Sequence, residues 1–358
     1  MRFADLMRHC VEIGMGADYR GREVSLRCRH REAERVVKLA GIKGRAAERL
    51  LHDWPVYGDV AWNGGNANHE VRRLMVGINM TTSAVLRARE LNANGWGIDL
   101  LFVHHPAAGE QRIPKELQRY LRYAVLELDA RSLAAFFDMP VASARRIAAI
   151  NHQSLEQQRA DFALPPGRQP DPVDLAAMFG FPFYSCHTPC DNHLFWGIHE
   201  VLLQQPRTLG DFVEAVLAIP EYARFRRERH EMPEVIAGGK RALLGKVWNA
   251  DTQCLISCLN EEVIKEIAKA GFDTIVGVIG GARGNTARLC QKHGLNAVHL
   301  PHDPSDNLGI NRLLDRLIEI EPLDILCTGD FYRVERGQGG SGDLGRFATR
   351  RRKSLGMA

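Results

Sequence analysis

Short apolar runs alternate with amphipathic stretches along most of the chain, and this alternation predicts an α/β protein. Residues 73–79 and 99–103 are apolar runs of strand length. Between them, Val85, Ala88 and Leu91 recur at helical spacing over residues 81–92. Strand, helix and strand make a βαβ unit of about thirty residues, which implies a parallel pair with a right-handed crossover. Residues 181–186, 242–247, 274–279, 297–300 and 324–327 read as further strands. Residues 174–179, 211–218, 261–270, 286–292 and 304–320 read as helices. In the first fifty residues, helix formers with charges at i,i+4 spacing (Arg31 to Ala40) predict charged helices. Leu117, Leu121, Val125 and Leu128 recur every three or four residues, and Leu133, Phe136 and Phe137 continue that face, so residues 113–155 read as mostly helical. Gly58, Gly64 and Gly65 predict a loop, residues 224–231 a charged exposed stretch, and the proline-rich residues 161–174 a linker. Strands and helices alternate on both sides of that linker, so each half is expected to carry one sheet.

Composition narrows the class. A chain of 358 residues suffices for two ordinary domains, and 45% hydrophobic with 25% charged residues is the balance of a globular protein. No apolar run approaches the roughly 18 residues of a membrane span, and the start of the chain has no apolar signal core. Eight scattered cysteines make no disulfide framework, so a reduced, cytoplasmic setting is expected. A net charge of +4, from 47 basic and 43 acidic residues, makes no electrostatic case for nucleic acid. The basic clusters at 20–49, 224–229 and 346–353 read as solvated faces and tail.

The chemistry concentrates where strands end. Leu100, Leu101, Phe102 and Val103 run straight into His104, His105 and Pro106. In open α/β sheets ligands bind beyond the carboxyl ends of strands, and imidazole is the commonest metal ligand. Adjacent residues on a regular strand point to opposite faces, so both histidines serve one site only if the chain turns there, which Pro106 favours. A second strand-like run leads into His187 and Asp191. At the third junction, Asp303 is a good N-cap, Pro304 suits the first helical position and Asp306 falls at the third, with His302 just before the cap. His302 and Asp306 could reach one ion there. The same spacing also fits Asp303 and Asp306 as plain helix caps. Glu110 and His187 are candidates for proton transfer. The glycine-rich turn at 280–285 precedes a helix and could hold a phosphate on backbone N–H groups, with Arg283 adding charge, or be an ordinary tight turn. It is no Walker motif, because no Gly-Lys-Ser/Thr follows. Cys186 with Cys190, and Cys254 with Cys258, fit packed thiols better than a zinc cluster.

In order, these motifs resemble the NIF3-like family (DUF34), whose bacterial members are often labelled GTP cyclohydrolase type 2. The match begins at His52-Asp53-Trp54 and at Gly58 to Gly64, and runs through residues 72–92 into His104-His105-Pro106. The family's His-Thr-x-x-Asp element is His187 to Asp191, and its His-x-x-x-Glu element is His302 to Asp306. The resemblance implies two α/β domains with a metal site between them and a helical insertion. The core would be residues 52–105 and 181–330, with an N-terminal helical extension at 1–51, a mostly helical insertion at 106–180 and a disordered Gly/Arg-rich tail at 331–358. It also implies two divalent ions per subunit, held by His104, His105, Asp191, His302 and Asp306. That donor mix suits Zn, Mn, Fe or Co better than Ca or Mg. Dimers, and hexameric rings built from them, are implied as the partners, besides a small-molecule substrate. Two residues depart from the pattern. Asp306 stands for the family's Glu, which shortens the carboxylate's reach by about 1.5 Å, and Asn79 stands where many relatives carry Asp. The expected activity is metal-dependent hydrolysis of a nucleotide-like or phosphorylated small molecule, with His187 or Glu110 moving the proton and Arg283 binding the substrate. The alternative is a non-catalytic metal-binding or regulatory assembly protein.

Overall fold

The computed structural model describes residues 1–105, 117, 125–161, 171–229, 232–278 and 283–336. They form two compact units. The first comprises Met1–Val125, Gln157–Cys190 and Asn311–Glu335; the second comprises Leu126–Glu156, Asp191–Ile310 and the chain from Arg336.

The first unit opens with helices α1 (Phe3–Ala17), α2 (Arg22–Leu39) and α3 (Gly44–Asp53). The turn after α1 is fixed by a buried carboxylate. Asp18 accepts hydrogen bonds from Arg20 Nη2 (2.9 Å), Tyr57 Oη (2.9 Å) and Ser25 Oγ (3.1 Å). A buried charge is tolerable only when so compensated. Strands β1 (Val60–Asn63) and β2 (Arg73–Gly77) follow, then α4 (Thr82–Ala93) and β3 (Leu100–Val103). Thr81 caps α4, its hydroxyl accepting the Ala84 N–H, and the helix buries Val85 and Ala88 against Met75, Leu101 and Phe183. β2 and β3 pair in parallel from Leu74↔Leu100 to Gly77↔Val103, as the βαβ pattern predicts.

Next come α5 (Ala130–Phe136), α6 (Val141–Asp161), α7 (Asp171–Met178) and β4 (Phe183–Cys186). The first sheet has five strands in the order β1-β4-β3-β2-β9, where β9 is Asp324–Cys327. Both β4 and β9 lie beyond the proline-rich linker. The expectation of one sheet per half of the chain is therefore corrected: the first sheet draws strands from both halves. β1 is the antiparallel member, with Trp62 opposite Tyr184. The glycines that read as a loop only bound this four-residue strand.

The second unit continues through α8 (Thr188–Leu203), α9 (Leu209–Leu217), α10 (Pro220–Arg229), β5 (Glu234–Ala237) and β6 (Val247–Asn249). It is completed by α11 (Gln253–Ser257), α12 (Glu261–Lys269), β7 (Thr274–Gly277), α13 (Arg283–Lys292), β8 (Asn296–His299) and α14 (His302–Ile320). Its sheet has the order β5-β8-β7-β6, with β5 the antiparallel edge. Thr208 and Asp211 form a capping box that starts α9. α9 then buries Phe212, Val213 and Val216 in a core with Leu194, Ile198, Val298 and Leu308. Two expectations shift here. Residues 224–229 belong to a helix, and the strand expected at 242–247 begins only at Val247.

Residues 331–336, placed by the pattern in the tail, are packed. Phe331 and Tyr332 are buried, and Arg333 Nη1 donates to Asn311 Oδ1 at 3.0 Å. Parts of the expected insertion (106–116 and 118–124, and 162–170 of the linker) and the tail from 337 to 358 lie outside the described residues. No helix among the described residues is long and apolar enough to cross a membrane.

Candidate metal centre

β3 ends at Val103, and the next two residues leave the pleat together. The N–H groups of His104 and His105 donate to the carbonyls of Gly77 (3.1 Å) and Ile78 (3.0 Å). That bend removes the alternation that would send the two rings to opposite faces. His104 is fully buried and His105 partly exposed. At the end of β4, His187 brings a third ring to the first unit's site. Ring centroids lie 4.9 Å apart for His104–His105, 4.5 Å for His104–His187 and 5.6 Å for His105–His187. One nitrogen from each ring lies within 4.8 Å of the others, so this trio can hold a metal ion.

Two of the rings are oriented from behind. His187 Nδ1–H donates to Asp59 Oδ2 at 2.9 Å, and Thr188 Oγ1 donates to the same oxygen at 2.7 Å. His105 Nδ1–H donates to Asn79 Oδ1 at 2.8 Å. Each bond fixes a tautomer and leaves Nε2 with its lone pair, the arrangement common behind metal-bound histidines. Burial alone would raise the pKa of Asp59. The hydrogen bond from His187, its charge when the ring is protonated, and the Thr188 hydroxyl outweigh burial and hold the carboxyl below its ordinary value. Asp59 escapes a motif search, because 128 residues separate it from His187. The available signal was a lone carboxylate opening an apolar strand inside the matched Gly58 to Gly64 segment.

Asp191, one turn beyond His187, lies in the first turn of α8 and is buried. Within the second unit it faces Asp251, which the sequence did not single out. Burial, with the negative charge of Asp191, pushes the Asp251 carboxyl up to about 7, against the opposing hydrogen bond from the Val278 N–H.

α14 starts at His302, so Asp303 is its second residue and not its N-cap. The carbonyl of Pro301 receives the Ser305 hydroxyl at 2.6 Å. Pro304 fits this earlier start because the first four helical N–H groups have no intrahelical partner. His302 and Asp306 thus stand four apart on one face, with Nε2 and Oδ2 3.6 Å apart. Asp306 is buried and His302 half-exposed. His302 and Asp303 border a groove of about 660 Å³ in the second unit, which Glu234, Lys240 and His299 also line.

Arg283 opens α13 in the second unit, and the turn before it, 279–282, lies outside the described residues, as does Glu110. Cys186, Cys190, Cys254 and Cys258 are buried free thiols.

No family model and no curated protein matches the chain. Among solved structures it is similar to a NIF3 superfamily protein from Sphaerobacter thermophilus, at 20% identity and a TM-score of 0.54, over 83% of this chain and 96% of that one. It is also similar to reduced HcgD from Methanocaldococcus jannaschii (16% identity, TM-score 0.42, 74% of this chain and 86% of that one). A Bacillus cereus protein related to NIF3 matches at 12% identity and a TM-score of 0.40, over 79% of this chain and 92% of that one. The first of these likenesses, together with the two mixed sheets, establishes that this chain has the fold of the NIF3 superfamily.

Proposed function

We propose that the chain is a metal-dependent hydrolase acting on a nucleotide-like or phosphorylated small molecule, in the manner implied by the GTP cyclohydrolase type 2 label of similar sequences. One observation carries the reading: three histidines from two strand ends converge with donor nitrogens within 4.8 Å. A mix of imidazole and carboxylate donors fits Zn, Mn, Fe or Co better than Ca or Mg. His104 and His105 are assigned as ligands, and the motif order adds Asp191, His302 and Asp306 for a second ion. A divalent ion held by these residues supplies Lewis acidity, bringing the pKa of water to about 7 and polarising a carbonyl, amidine or phosphoryl group. His187 moves the proton. Asp59 stabilises its cationic form, so Nε2 can accept a proton from water and return it to the leaving group. The groove beside His302, with Lys240 at its edge, is of small-molecule size. Subunits are expected to form dimers, and hexamers built from them, which light scattering would read as multiples of the 40.1 kDa chain.

The test is metal analysis with turnover of GTP and of a phosphodiester, after reconstitution with each of the four metals. His104→Ala is expected to lose both metal and turnover. His187→Ala is expected to keep the metal and lose about 10²–10⁴-fold in kcat. Loss of metal from His187→Ala would instead make His187 a ligand and end its proton role. The alternative, a non-catalytic metal-binding or regulatory assembly protein, draws on Asp306, whose carboxylate is shorter than the family's Glu. Bound metal with no hydrolysis of any substrate, in the parent chain and in Asp306→Glu alike, would establish that alternative.

A further inference from the structure

The groove beside His302 has two ends of different chemistry, both within the second unit. β5 runs antiparallel to β8, with Glu234 opposite His299 and Ala237 opposite Ala297. Glu234, His299, His302 and Asp303 therefore form one end of the groove, and Gly238, Gly239 and Lys240, which follow β5, form the other. Four residues separate Glu234 from Gly238, about 13 Å at the usual rise of a strand. Lys240 is the one permanent cation among the described lining residues, while Glu234 and Asp303 are acidic and stand at the far end. It is exposed and makes no ion pair with a described residue.

The loop that carries Lys240 is held from behind. The carbonyls of Gly239 and Lys240 accept the N–H groups of Ala242 (2.8 Å) and Gly210 (2.9 Å). The N–H groups of Gly239 and Lys240 donate to no described residue. Successive free N–H groups in a turn suit an anion. The two glycines differ in what requires them. Gly238 has φ of 86°, and a Cβ there would stand 3.0 Å from Asn296 Cγ, so backbone and packing both demand glycine. At Gly239 the backbone is not left-handed, and a Cβ would meet nothing within 4 Å. The fold itself does not need glycine at 239, and a bare backbone there lets a ligand approach closely.

We infer that Gly239 and Lys240 anchor the phosphate of the substrate, at the end of the groove remote from His302. The inference rests on the reading of the chain as a hydrolase of a phosphorylated small molecule. It adds that the phosphate is a handle and not the reacting group, and that the substrate spans the groove, as an extended nucleoside monophosphate does.

The test uses the full chain, metal-loaded and after chelation, and compares AMP and GMP with adenosine and guanosine by isothermal titration. At least one nucleotide is expected to bind about tenfold more tightly than its nucleoside, in both forms of the protein. Lys240→Gln keeps the length of the side chain and removes the charge, and is expected to weaken nucleotide binding about tenfold. Gly239→Asp sets a carboxylate against the phosphate and is expected to remove the preference for nucleotide. Both variants are expected to keep the parent's nucleoside affinity, metal content and circular dichroism spectrum. For any phosphorylated substrate that the chain turns over, Lys240→Gln raises KM and leaves kcat. Absence of nucleotide binding up to millimolar concentration overturns the inference, as does a nucleotide Kd unchanged in Lys240→Gln. A preference for phosphate that disappears on chelation places the phosphate on the metal and overturns it too. A preference that survives chelation and is lost in both variants, with no turnover of any substrate, establishes the anchor and removes the hydrolase reading alone.

Discussion

A buried carboxylate stays ionised only if its surroundings compensate the lost water, and Asp59 and Asp251 fall on opposite sides of that rule. Asp59 has His187 and Thr188 and remains an anion. Asp251 has one backbone N–H and the charge of Asp191, and its pKa climbs to about 7. Because that value lies above the unfolded carboxyl's 3.8, the folded state holds this proton more tightly. Asp251 thus contributes stability below the ordinary carboxyl range, and the contribution is lost as pH rises from about 4 to about 7. Asp251→Asn is neutral throughout and keeps an acceptor for Val278. It is expected to raise Tm over the parent chain at pH 8, by an amount that on the order of 4 kcal/mol bounds from above, and to converge on the parent only below the unfolded carboxyl's pKa, near pH 3. Parallel Tm–pH curves, measured on chelator-treated protein, would contradict this. His104, His105 and His302 were legible because each sits where an apolar run stops, and such junctions are local in sequence. Asp59 and Asp251 were not. Their roles come from partners distant in sequence, and the only local mark is that Asp59 is a lone carboxylate at the start of an apolar strand.

At the level of elements, the pattern located the parallel pair β2–β3 and the long helix α14, because their periods persist over several residues. It lost β1, where four residues lie among glycines that signal a loop. Two of these glycines close the strand. Gly64 and Gly65 have φ of 69° and 74°, and a Cβ on Gly65 would stand 2.7 Å from Pro182 Cγ and 2.9 Å from its Cβ. The loop signal was therefore sound for the residues that carry it and silent on the strand beside them. Gly95 supplies the control, with φ of 82° and nothing within 4 Å. Gly95→Ala is expected to cost about 1 kcal/mol through left-handed backbone alone. Gly65→Ala adds a clash with a proline ring that has little freedom to move, and is expected to cost about 2–3 kcal/mol. Equal Tm losses for the two variants would show that Pro182 shifts freely and that β1 tolerates a looser end. The start of α14 makes a related point. Local capping rules favoured Asp303, yet the helix reaches back to His302, which turns a residue expected before the cap into the i,i+4 partner of Asp306.

For the whole molecule, local pattern runs out where pairing becomes non-local. The order β1-β4-β3-β2-β9 joins strands that begin at residue 60 and end at residue 327, and no window of sequence contains that arrangement. The same non-locality governs how metal should act on stability. The proposed ligands stand at the end of β3 and in the opening turns of α8 and α14. α8 and α14 each begin in one unit and continue into the other, α8 after Cys190 and α14 after Ile310. An ion bound at these positions binds only the folded chain, so it stabilises by mass action, by about 4 kcal/mol when free metal exceeds Kd a thousandfold. Chelation is therefore expected to lower Tm by several degrees, and readdition of Zn, Mn, Fe or Co to restore it. His104→Ala should unfold at the chelated Tm and ignore added metal, because it removes a fully buried donor. Asp306→Ala tests the more distant motif: if His302 and Asp306 ligate as the motif order implies, this variant loses part of the metal response and binds fewer ions per chain. A Tm of the parent chain that is indifferent to both chelator and metal would remove the metal centre as an element of this protein's stability and, with it, the basis for the hydrolase reading.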